Sequence, residues 1–243
     1  MILAETHHRR RGTAGYDKWT PEGIACLFGA FCVHLMVGSQ YAWGSMVPYM
    51  VGYYRQVGNL DSNMSQFYIV LPLIVITSTL FFPIGMKLAG TLGSRLVILI
   101  GGCITFTTCF MASYTQSTTL FFMLYALGFG AGKGFLYPAP LKAGWSHFSG
   151  RKGLVSGIIV SGLGIGAFIF GNVVTLMVNP DNKPPVKTEI APGVYEYYFP
   201  ADVNARVPET IRALCMMWGA LIFLGVMTVS NFKESPVEEQ FME

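Results

Sequence analysis

Two ionisable side chains interrupt stretches that otherwise read as membrane-spanning: His34, inside Ile24–Met50, and Lys133, inside Leu120–Tyr137. An imidazole or ammonium in hydrocarbon is expensive. Such groups face a bundle interior, a partner or a water path, which makes both residues candidates for chemistry. At helical spacing His34, Gly38, Tyr41, Ser45 and Pro48 share one stripe, and Ala126, Gly130, Lys133 and Tyr137 share another. On a functional reading Lys133 binds a carboxylate, since an ammonium at low dielectric attracts a monocarboxylate strongly, and His34 and Tyr41 supply hydrogen bonds beside Tyr137. On a structural reading Lys133 snorkels to one face or pairs with an anionic phospholipid or a partner's carboxylate, and His34 bonds a backbone carbonyl. Both readings stay open at this point.

Other chemistries find little support. No nucleophilic triad, paired-carboxylate site or metal-ligand spacing stands out, so neither enzymatic activity nor a cofactor is expected. Gly132-Lys133-Gly134 lacks the Ser/Thr and the preceding strand that a phosphate loop requires. Cys26, Cys32, Cys103, Cys109 and Cys215 all fall in apolar stretches, where an odd number of thiols reads as packing. The net charge of +3 is scattered and gives no nucleic-acid surface.

The elements that must position these residues follow from composition. Hydrophobic residues make up 52% and charged residues 12% of the chain, roughly half the charge of a soluble domain. Six apolar stretches approach the ~20 residues that cross a bilayer core: Ile24–Met50, Phe67–Leu88, Leu96–Ser113, Leu120–Tyr137, Leu154–Val178 and Ala213–Ser230. The expected fold is an all-α membrane protein of six transmembrane helices. A basic arm (1–22) precedes the membrane domain (23–230), an extramembrane loop (179–209) joins the fifth and sixth helices, and an acidic tail (231–243) follows. Within that loop Val194-Tyr195-Glu196-Tyr197-Tyr198-Phe199 reads as a short extended or interfacial element.

Arg9–Arg11, Lys18, Lys87, Arg95, Lys142, Arg151, Lys152 and Lys233 all fall on one side of this arrangement. The positive-inside rule places that side, and with it both termini, in the cytoplasm or matrix. The basic arm is no secretory signal peptide, because its apolar run is too long and lacks a cleavage site. Glu5 and Asp17 dilute an organellar address. A mitochondrial inner membrane is the favoured residence, with plasma or other organellar membranes as alternatives.

Glycines dominate the fourth and fifth helices: Gly128, Gly130, Gly132 and Gly134 in one, Gly153, Gly157, Gly162 and Gly166 in the other. Small-xxx-small spacing lets backbones approach closely in lipid, and a contact between these two helices is expected.

Several segments carry a family likeness. Gln40-Tyr41-Ala42-Trp43-Gly44-Ser45 is followed by Pro48. Gly128–Pro140 is a glycine-rich helix ending in tyrosine and proline. Phe148-Ser149-Gly150-Arg151-Lys152-Gly153 opens the fifth helix. In order and spacing these resemble the oxalate/formate antiporter and monocarboxylate-transporter branch of the major facilitator superfamily, over roughly Gly23–Ser230. The resemblance implies half of a twelve-helix fold, with the first and fourth helices lining a central cavity and the third and sixth outside. It also implies a gate loop between the second and third helices. There Gly93 and Arg95 match, but Gly90 stands at the position of the gate aspartate.

Six helices where the family uses twelve lead to two readings of function. The first is a relict half-transporter kept as a structural or accessory subunit of a larger membrane complex, such as a mitochondrial respiratory assembly, with other membrane subunits as partners. The alternative is a half-size carrier of a small carboxylate, working as a homodimer or with a separate second half.

The topology has a direct check. Labels restricted to one face of sealed vesicles are expected to reach either the Arg9–Arg11 arm or the 179–209 loop, and never both from the same face.

Overall fold

A computed structural model describes residues 19–232 apart from residue 192; the arm up to Lys18 and the tail Lys233–Glu243 lie outside the described residues. Six helices are long and apolar enough to cross a membrane: α1 (Pro21–Gln56), α2 (Met64–Thr91), α3 (Ser94–Ala112), α4 (Thr118–His147), α5 (Ser149–Val178) and α6 (Ala201–Thr228). The chain is therefore an integral multi-pass membrane protein.

The helices run past the apolar stretches that announce them. α1 begins where the Thr20 hydroxyl accepts from the Gly23 amide at 3.1 Å, with Pro21 in the first turn. α4 continues through Pro138 and Pro140 to His147, because Pro138 opens a renewed helical segment whose first amides need no partner. α6 starts at Ala201 and takes in Arg206, Glu209 and Arg212, so the segment 179–209 is shorter as a loop than its polarity implies. Arg212 lies over the Tyr114 ring at 5.1 Å, which gives its charge a place at the membrane edge.

A β-hairpin fills most of that loop, with β1 (Val186–Ala191) antiparallel to β2 (Val194–Tyr198). Gly193 supplies the positive φ of 77° at the turn. The hairpin docks through Tyr198, whose ring receives the Arg55 guanidinium at 5.0 Å and whose hydroxyl donates to the Glu196 carboxylate. Burial, then the bond to Glu196, pushes the Tyr198 phenol up to about 12, so it remains a donor at any physiological pH. Phe199 packs on Tyr49 with centroids 4.3 Å apart.

The opposite end of the bundle carries both described chain ends, with the Trp19 ring 5.0 Å from Phe148 and the Phe232 amide on Ser146. There the segment after α6 is strapped down. Arg95 Nε donates to the Val229 carbonyl at 3.1 Å, Asn231 caps the Ser94 amide at 3.1 Å, and His147 Nε2 lies 2.9 Å from the Ser230 carbonyl. Arg95 thus caps the end of α6. Gly93, with φ 85°, forms the turn that delivers it. Over Gly90 lies the Lys142 ammonium, in the space a side chain would take.

Packing runs α2–α4–α3–α6–α1–α5. The expected glycine contact between α4 and α5 is not what holds these helices. Successive glycines at spacing two point about 200° apart around a helix, so the four in α4 serve two neighbours. A Cβ at Gly128 or Gly132 would strike Thr108 or Thr105 of α3, and one at Gly130 or Gly134 would strike Thr77 or Phe81 of α2. Gly162 and Gly166 of α5 abut the α1 backbone at Phe31 and Leu35. Gly157, expected to pack, meets no described atom within 4 Å. α4 reaches α5 only further along, where Gly144 sits against Val155 and Ile159.

These contacts separate two leucine substitutions. Gly166→Leu is expected to lower stability by about 1–3 kcal/mol, as overpacking does at a close helix contact. Gly157→Leu is expected to melt as the parent does, and thermal melting in mild detergent compares them.

Candidate functional site

Both helices that carry the ionisable residues are irregular. α1 tightens into a 3-10 turn at Ser39–Ala42, and α4 widens into a π-helical segment at Phe122–Leu127. π-Segments in helices recur at functional sites. The two irregular segments meet through Trp43, whose ring lies 5.1 Å from Tyr125 and 6.0 Å from Phe121. Trp43 Nε1 is anchored on the Phe67 carbonyl at 2.8 Å. This aromatic cluster closes the space between α1 and α4 on the hairpin side. On the other side α1 packs on the Pro138–His147 part of α4 more closely than on the part that carries Lys133.

Between the two closures lies a polar compartment. Lys133 Nζ donates to Gln40 Oε1 at 3.0 Å, and both residues are buried, at 6% and 2% exposure. One turn further along α4, the Tyr137 ring lies 5.0 Å from His34 and stacks on Phe82 at 5.1 Å. His34 is fully buried, and its Nδ1 lies 3.1 Å from the Ala30 carbonyl. A carbonyl only accepts, so Nδ1 carries the proton and Nε2 presents a lone pair. Three buried polar atoms here have no partner among the described residues: His34 Nε2, Ser39 Oγ and Gln40 Nε2. Native interiors rarely leave such groups unsatisfied.

The electrostatics are lopsided. Lys133 is the one buried lysine or arginine among the described residues, and its hydrogen-bond partner there is a neutral amide. Among the described residues no carboxylate lies within ion-pair distance of it. An ammonium taken out of water with a single neutral acceptor recovers little of its lost hydration. A carboxylate at 4 Å would return about 4 kcal/mol at an effective dielectric of 20. The buried charge here is positive, and among the described residues no nucleophile is paired with a base beside it.

The structure thus brings together Lys133, His34 and Tyr137 and separates Tyr41, which is 51% exposed. The 3-10 turn explains the difference. It advances about 120° per residue instead of 100°, so four residues rotate the stripe by about 80°. Gly93 and Arg95 lie at the far end with the strap after α6. Gln40 and Ser39 escaped notice as site residues because neither is charged, although an amide inside hydrocarbon was the available signal.

No family model matches the chain. Over 259 aligned positions it is 28% identical to Apicoplast pyruvate carrier 1 of Toxoplasma gondii, covering 90% of this chain and 47% of that carrier. It is 32% identical over 106 residues to Monocarboxylate transporter 12-B of Danio rerio, covering 44% of this chain and 22% of the transporter. With Monocarboxylate transporter 13 of Rattus norvegicus it shares 30% identity over 97 residues, 40% of this chain and 23% of the relative. The chain spans under half the length of these curated relatives. They are membrane transporters and not enzymes.

Lys133→Met tests what the ammonium is for. Relief of the buried charge and the orphaned Gln40 carbonyl are opposing effects of about 1–3 kcal/mol each. The variant is therefore expected to fold and to melt within a few degrees of the parent by thermal scanning in detergent. A large loss of stability would assign Lys133 a structural task.

Proposed function

We propose that this chain is a six-helix half of a carrier for a small monocarboxylate, in the manner of the major facilitator superfamily. One observation carries the reading: the Lys133 ammonium, buried between α1 and α4 and held, among the described residues, by the Gln40 amide alone. One buried cation matches one carboxylate. The relatives support a carrier over an accessory subunit, since the first is by name a pyruvate carrier and the others monocarboxylate transporters. That first name also supports an organellar membrane as the residence.

Transport in this manner needs a second six-helix body, supplied by further sequence, another chain or a second copy, because a substrate path between two bodies opens alternately as they rock. α5 offers a face for it. Gly153, Gly157, Ser161, Gly164 and Asn172 are exposed along one stripe, together with Phe168, while Leu154, Ile165, Ile169 and Leu176 are exposed along another. The second stripe suits lipid; the small and polar one suits a close-packed helix or a wet cavity. The carboxylate, on reaching the compartment, replaces water around its charge with the Lys133 ammonium and the Gln40 amide N–H beside it, while His34 Nε2, an acceptor, takes no part in holding the anion. The Trp43 cluster on one side and the Pro138–His147 packing on the other must each yield in turn.

Reconstitution tests this. The six helices are exchanged for the matching part of the Toxoplasma gondii carrier, and labelled pyruvate uptake into liposomes is compared for the chimera, the chimera with Lys133→Ala, and this chain alone. The chimera is expected to show saturable uptake that Lys133→Ala abolishes without loss of folded protein, and the chain alone none. Saturable, Lys133-dependent uptake by the chain alone would point to a homodimeric carrier. No uptake in any form would favour the accessory-subunit reading.

A further inference from the structure

Gln40 does more at this site than accept one hydrogen bond. Its side chain is rooted in the 3-10 turn of α1, is 2% exposed, and gives Oε1 to the Lys133 ammonium at 3.0 Å. That contact fixes which way the amide faces, because an ammonium cannot accept. Nε2, on the same carbon as Oε1, is buried and has no partner among the described residues. The amide therefore presents two N–H donors beside the ammonium, held in place and unused.

A carboxylate has two oxygens, and an ammonium beside one of them leaves the other in need of a donor. An amide N–H adjacent to the cation meets that need, and the carboxylate then lies across the two nitrogens. Charge-assisted bonds of this kind are the strong ones. Neutrality matters as much as the donor. A glutamate at the same place would form an internal ion pair with Lys133 and fill it, with no N–H left for a ligand. A neutral ligand of the same shape, such as the primary amide of the acid, lacks the charge and places an NH2 where an acceptor is needed. Buried donors left unpaired are what let a polar site reject near-isosteres.

We infer that Gln40 is a specificity-determining residue of the proposed carboxylate site, positioning Lys133 through Oε1 and donating Nε2–H to the second carboxylate oxygen of the substrate. This deepens the proposed carrier reading and rests on it. Gln40 selects the ionised acid over its neutral analogues, while Lys133 supplies the attraction.

Equilibrium binding of pyruvate and of pyruvamide to the purified chain in lipid nanodiscs tests the assignment, with Gln40→Met, Gln40→Glu and Lys133→Met as variants and melting temperature as the check on folding. Gln40→Met keeps side-chain length and removes both hydrogen-bonding groups; Gln40→Glu keeps the shape and removes the donor. The parent is expected to bind pyruvate far more tightly than pyruvamide. Gln40→Met should lose about tenfold in pyruvate affinity and leave the weak pyruvamide affinity unchanged, so the preference narrows. Gln40→Glu should bind pyruvate more weakly still. If both Gln40 variants bind pyruvate as the parent does while Lys133→Met does not, Gln40 is only a neighbour and the inference is overturned, with the carrier reading intact. Equal losses for pyruvate and pyruvamide would reduce Gln40 to a structural role and overturn it too. A parent that binds no pyruvate, or binds it independently of Lys133, removes both.

Discussion

A single buried ammonium organises this protein. Lys133 sits inside a membrane-spanning helix with, among the described residues, one neutral hydrogen-bond partner. A bilayer offers it no water, and its own bundle offers it no carboxylate among the described residues. The rest of the structure follows from keeping it there. α4 must carry the lysine inward, α1 must bring an amide to meet it, and the space around both must be closed against lipid by large side chains at either end. A group this costly persists in hydrocarbon when something else is stabilised by it.

The glycines make that placement feasible. With Gly128 and Gly132 against α3 and Gly130 and Gly134 against α2, α4 is clamped on two opposite sides by backbone-close contacts. Its third side, which carries Lys133 and Tyr137, is left for α1. α1 in turn is fixed on α5 through Gly38, Gly162 and Gly166. Both irregular segments, the 3-10 turn and the π-segment, lie on these two clamped helices and meet through Trp43. The defects are therefore local. One of them, the 3-10 turn, is what carries Ser39 and Gln40 toward α4.

Much of this was legible in the sequence, and the misses have physical causes. Apolar length revealed all six spans, and charge in an apolar context revealed Lys133 and His34. Boundaries were harder, because Pro138 reads as a stop and instead opens a new turn of α4, while Ala201 to Glu209 read as loop and instead form the polar first turns of α6. The tyrosine-rich loop segment read as a short extended or interfacial element, and its residues Val194–Tyr198 form a strand; the partner strand Val186–Ala191, preceded by Pro184 and Pro185, gave little sign of pairing. Tyr41 shares the stripe of His34 at regular helical spacing, and the 3-10 turn leaves it exposed instead of buried beside Lys133. Glycine spacing identifies faces that can approach a neighbour and says nothing of which neighbour arrives. Gln40 and Ser39 were missed because a neutral polar residue raises no alarm until its burial is known.

The central claim is that Lys133 receives a carboxylate. Solid-state NMR can measure that contact directly, by dipolar dephasing between lysine 15Nζ in the chain and a 13C label in the carboxyl carbon of bound pyruvate, in lipid. The account predicts dephasing for a nitrogen–carbon distance of about 3–4 Å, as in a charge-assisted hydrogen bond, and its disappearance in Lys133→Met. Dephasing that survives Lys133→Met, or bound pyruvate that shows none, would contradict it.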